Sequence, residues 1–197
     1  MLTNKANSSD KAAASVEKSN GAKDGLRGGG IFKVECRDKD GNLKWVSETH
    51  NLVVNVGLAD MNTRYFKGSS YTAAWYLGLY GAASSNNPAA TDTMSSHAGW
   101  TEVTAYSNAT RPAVTFGNAT TADPSLIANS ASPAAFTVNA SANVGGAFLT
   151  TDSTKGGTSG TLFSAADFAA PVIAWCRAVT RSTSPIPSAL MHFDRSN

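Results

Sequence analysis

Ile31-Phe32-Lys33-Val34-Glu35-Cys36-Arg37 is the stretch on which the reading of the fold turns, because apolar and charged side chains alternate along it. A period of two belongs to a β-strand with one dry and one wet face. Asp38-Lys39-Asp40-Gly41-Asn42 then supplies turn chemistry, and Leu43-Lys44-Trp45-Val46 resumes the extended pattern. Together these segments predict a β-hairpin. Asn51-Leu52-Val53-Val54-Asn55-Val56-Gly57 prolongs the second strand, and Leu58 to Phe66 has the spacing of one short helix, with Leu58, Met61 and Tyr65 on a common face.

Working outward, Tyr71 to Gly81 is an apolar, aromatic run of strand length, expected at the centre of a sheet, and Ala82 to Ser96 is a small, polar surface loop. Short strands are expected at Thr101–Tyr106, Ala113–Phe116, Ala135–Asn139 and Val144–Thr151, each bounded by Gly, Pro, Asn or Ser. Such spacing predicts an all-β fold: an antiparallel β-sandwich, barrel or jelly-roll-like domain with one short helix and an extended N-terminal arm. The expected organisation is a flexible, mildly basic arm at 1–30, a β-rich domain at 31–171 and an atypical C-terminal tail at 172–197.

Residues 1–30 carry almost no large apolar side chains, so they cannot bury enough surface to offset the entropy of ordering. The arm holds five Lys/Arg, namely Lys5, Lys11, Lys18, Lys23 and Arg27, against three Asp/Glu, whereas the rest of the chain holds eleven of each. The arm cations are therefore the expected partner contacts. An excess this small does not supply the clustered charge that phosphate neutralisation needs, so no specific nucleic-acid partner is expected. Cys36 and Cys176 lie in no CxxC pair and are expected to be free thiols. No apolar run is long enough to span a bilayer, and no membrane partner is expected.

Candidate chemistry is sparse. His97 and Glu102 are close enough in sequence for an acid/base or metal pair, but no third ligand is apparent, and the plainer reading is a loop leading into a strand with Trp100 packed as an aromatic. Asp38, Asp40 and Asn42 lack the Gly and Glu positions of a calcium loop and fit a hairpin turn. Gly28-Gly29-Gly30 leads into a strand without the Lys-Ser/Thr of a phosphate loop, and 156–160 lacks the spacing of a nucleophile elbow. No catalytic residue, metal or cofactor is expected, and the chain is not expected to be an enzyme. Trp75, Tyr76 and Trp100 are the expected interface or core aromatics; with Tyr71 and Tyr80, the first two could form a sugar platform, although one continuous apolar run fits core packing better.

The segments Phe32 to Trp45 and His50 to Gly57 resemble the opening of a family of small tailed-bacteriophage virion proteins. Similar matches are Ala73-Ala74-Trp75-Tyr76-Leu77-Gly78-Leu79, Asp92 to Glu102, and Gly145 to Thr150 through Gly160-Thr161-Leu162-Phe163. The resemblance implies a structural role in a virion assembled in the bacterial cytoplasm. A capsid decoration or cement protein that oligomerises in the particle and binds the major capsid protein is the first expectation; a tail, neck or fibre component contacting the host surface is the alternative. Members of that family end on a strand resembling Gly-Asp-Thr-Leu-Asn-Val-Thr-Tyr-Thr, which residues 172–197 lack. Codons chosen for Val179 to Pro187 spell Asp-Thr-Leu-Asn-Val-Thr-Tyr-Thr in another frame, which suggests a frame slip near Pro171.

Overall fold

The alternating stretch becomes the first strand. In the computed structural model, which describes residues 28–38, 40–81, 88–122, 125–174 and 179–181, β1 (Gly29–Arg37) and β2 (Leu43–Val53) pair antiparallel. Their register sets Phe32, Val34 and Cys36 beside Thr49, Ser47 and Trp45 on one face, where the three β1 side chains are buried. The Asp38 carboxylate builds the turn: Oδ1 accepts the N–H groups of Asp40 and Asn42, and Oδ2 accepts Asn42 Nδ2. Gly41 completes it at φ +88°, a conformation that a Cβ would strain. Cys36 is disulfide-bonded, which corrects the free thiol expected there; Cys176 lies outside the described residues.

The helix α1 (Asn55–Phe66) begins three residues before Leu58, so residues 55–57 do not prolong β2. Backbone contacts explain the early start. Val54 takes an extended cap conformation and donates its N–H to Phe163 O at 3.0 Å, while Asn55 N–H reaches Ala90 O at 2.8 Å. A Cβ on Gly57 would lie 2.5 Å from Phe163 O, so the glycine is what lets the first helical turn touch the neighbouring strand.

The remaining strands are β3 (Tyr76–Gly81), β4 (Thr101–Glu102), β5 (Ala135–Thr137), β6 (Ala142–Thr150), β7 (Leu162–Ala174) and β8 (Val179–Arg181). They join β1 and β2 in one sheet of order β4-β3-β6-β7-β2-β1-β8-β5, every pair antiparallel. The fold is thus all-β with one short helix. The apolar run from Tyr71 forms strand only from Tyr76 and lies second in that order, not at its centre. Trp75 and Leu77 meet Pro112–Val114, through Leu77 N–H to Pro112 O and Val114 N–H to Trp75 O, so the expected strand at 113–116 contributes a single bridge. Strand β7 had no counterpart among the expected strands; its first residues are those of the 160–163 resemblance, and its end, like β8, falls within residues 172–197.

The sheet curls until its ends meet. Past β4 and β5, Ser107 N–H donates to Thr137 O at 2.8 Å and Asn139 N–H to Ala105 O at 3.2 Å, which is the hydrogen-bond pair of the Tyr106↔Val138 bridge. The Asn108 side chain extends this seam by accepting Thr137 N–H and donating to Ala135 O. The two layers expected of a sandwich are therefore opposite walls of one curled sheet. Phe32, Val34, Leu77, Leu79, Phe136 and Leu149 fill the principal core. A second cluster lies on the other face of β3, β6 and β7, where Tyr80, Phe148 and Leu162 meet Val54, Met94 and Trp100. Two glycines make room for it: Phe148 lies over its cross-strand partner Gly78, and Tyr80 over its partner Gly146, each ring filling the space a Cβ would take.

Candidate functional site

Arg111 has a fully buried side chain and organises the densest polar cluster. Its Nε and Nη2 donate to the two oxygens of Glu102 at 3.0 and 2.8 Å, Nη1 reaches Asp152 O at 2.9 Å and Nη2 reaches Gly157 O at 2.7 Å. A buried guanidinium is tolerable only when it is paired and its donors are satisfied in this way. Glu102 also accepts Gly156 N–H at 2.8 Å. Lys155, from the same loop, donates to Tyr106 O and Asn108 O and lies 4.5 Å from the Tyr106 ring centroid. The cluster therefore ties the β6–β7 loop to the seam. Burial, and then the Glu102 charge, push the Tyr106 phenol well above its ordinary value.

A second polar group lies within the aromatic cluster. Tyr80 donates to Asp167 Oδ1 at 2.7 Å, and burial followed by that hydrogen bond raises the Tyr80 pKa far above 10.0. Desolvation also raises the Asp167 carboxyl. Trp100 donates from Nε1 to Asp92 Oδ2 at 3.1 Å, and His97 stacks on the indole at 3.7 Å while its Nδ1 contacts Trp100 O. These contacts are those of packing, with each polar atom satisfied locally.

An open concavity among the described residues lies between α1 and the start of β7. It encloses about 520 Å³ and is lined by Asp60, Thr63, Arg64, Ser69, Thr93 and Thr161, over a floor that includes Val56 and Leu162. Arg64 donates from Nε to Asp60 at 3.1 Å, hydrogen-bonds Ser70 O, and lies 5.2 Å from the Tyr71 ring centroid. Residues 65–73 are all exposed, among them Tyr65, Phe66 and Tyr71. Tyr65 and Phe66 meet edge to face at 5.0 Å, so this aromatic tip has local order of its own.

The two residues weighed as an acid/base or metal pair engage different partners, His97 with Trp100 and Glu102 with Arg111, in keeping with the plainer reading. Among the described residues no group of three or more His, Cys, Asp or Glu could hold a metal ion. Trp100 is buried in the second cluster. Trp75 is half-buried, set edge-on to Phe163 at 5.1 Å, and Tyr76 opens β3 opposite Thr150. Tyr71 stands at the aromatic tip beside Arg64 and shares a side-chain hydrogen bond with Trp75. Lys5, Lys11, Lys18, Lys23 and Arg27 lie outside the described residues. The Arg111–Glu102 cluster and the tip are what sequence reasoning missed, since partners nine residues apart across irregular chain leave no periodic signal. The described helix is too short to cross a membrane.

No protein-family model, no curated protein and no solved structure matches this chain.

Proposed function

We propose that this chain is a non-enzymatic structural component of a tailed-phage virion, most simply a decoration or cement protein that seats on capsid subunits. The observation that carries the reading is the sequence resemblance. Its segments fall on the β1–β2 hairpin, β3, the Asp92–Glu102 loop and the β6–β7 pair, the parts that pack the two cores. A module whose seam is held by side chains and whose aromatics stand outward suits adhesion by shape, because preorganised aromatic contacts lose little freedom on binding.

Quantitative mass spectrometry of purified particles tests this. Hundreds of copies per particle identify a shell protein, a dozen or fewer a tail or neck component, and absence from particles rejects the virion role. The tail or fibre reading draws on one feature, the outward aromatic tip beside a polar groove, which suits contact with a host surface.

A further inference from the structure

We propose that the groove between α1 and the start of β7 is a binding site for a neutral saccharide. This inference stands apart from the virion reading, since it rests on the chemistry of the groove alone. The lining carries one acid and one base, Asp60 and Arg64, and they pair with each other at 3.1 Å, so the wall has no net charge to recruit an ion. The remaining polar wall is hydroxyl: Thr63, Ser69, Thr93 and Thr161. Thr93 Oγ1 is engaged by Ser96 N–H and Ser95 Oγ, whereas the Thr63, Ser69 and Thr161 hydroxyls have no intramolecular partner among the described residues. A row of groups that both donate and accept matches a ligand whose own groups do the same, which is the character of a sugar hydroxyl.

Phe66 adds the second element of sugar recognition. It follows Thr63 by three positions, which makes the two neighbours on the helix surface, and the residue is 62% exposed. An aromatic face is electron-rich and attracts the partly positive C–H face of a pyranose ring. The apolar floor of Val56 and Leu162 would receive carbon-bound hydrogens in the same way. A volume of about 520 Å³ lies in the range typical of small-ligand sites, and its open form suits a residue of a longer chain entering from solvent.

Saturation-transfer difference NMR on the full-length protein tests the proposal, with methyl α-glucopyranoside, methyl β-galactopyranoside and N-acetylglucosamine as probes. Transfer to ring protons of at least one probe is expected, with binding weakened about tenfold or more in Phe66→Ala and in Thr161→Val. Glu48→Gln, on exposed β2, should leave it unchanged. No transfer to any probe, transfer that survives Phe66→Ala in the folded variant, or displacement of the sugar by inorganic phosphate overturns it. Because Phe66 is exposed, that variant keeps its fold even if Thr161→Val does not.

Discussion

Arg111 shows how much one side chain can hold. Replacing it with Met leaves the Glu102 carboxylate without its counter-ion in a largely buried setting, and the loss should be about 3–5 kcal/mol. A lowered urea midpoint reads this directly, and adding Glu102→Gln should recover part of it, because the two effects are coupled. Gly78 and Gly146 are sensitive for a steric reason. An added Cβ would sit 2.1 Å from the Phe148 or Tyr80 ring, so either change to Ala should cost about 1–3 kcal/mol as the rings are driven from their places. The tyrosines give a pH signature. Folding raises the pKa of both Tyr80 and Tyr106 above 10.0, so their contribution to stability is intact below pH 10 and is lost as pH climbs beyond it. In a titration followed by phenolate absorbance, these two of the five tyrosines should ionise last, together with unfolding, and Tyr80→Phe should flatten the alkaline loss of stability. None of these roles was legible in the sequence. The glycines read as ordinary strand residues because their purpose is set by rings on neighbouring strands.

At the scale of elements, legibility followed the distance over which a signal acts. The β1–β2 hairpin could be read because alternation and the Asp38–Gly41 turn are local. The start of α1 could not, since it depends on Phe163, over a hundred residues onward. Strand β7 was hidden by the small side chains of Ser164, Ala165 and Ala166, which suit a strand flanked on both sides and carry no alternation. The seam is held by two backbone bonds with side-chain support from Asn108 and Lys155. Lys155→Met removes two donors to Tyr106 O and Asn108 O and should cost about 1–2 kcal/mol. Hydrogen exchange at the Ser107 and Asn139 amides should accelerate in that variant, while the β1–β2 amides keep their protection.

For the whole molecule, sequence reasoning reached the all-β class, the single helix and a sandwich or barrel of antiparallel strands, but not which segments meet at the seam of the curled sheet. Closure is decided by where β4 and β5 end, which composition does not encode. Deleting residues 1–27, which spares β1, should leave a folded domain with an unchanged thermal transition and poorer binding to particles. Unchanged occupancy would remove the arm from the binding account.

The order of the strands carries one more consequence. On one side β1 and β2 are paired along their lengths, on the other β6 and β7 are, yet β2 meets β7 through only Leu52↔Ala165 and Val53↔Ser164, beside an Asn51–Ser164 side-chain bond. A force that pulls the β1–β2 pair away from the β6–β7 pair therefore falls on two residue pairs and the Val54–Phe163 backbone bond, between two joints paired along their lengths. If such a load reaches the protein, the joint acts as a mechanical fuse, parting there while each hairpin stays intact to rejoin when the tension falls.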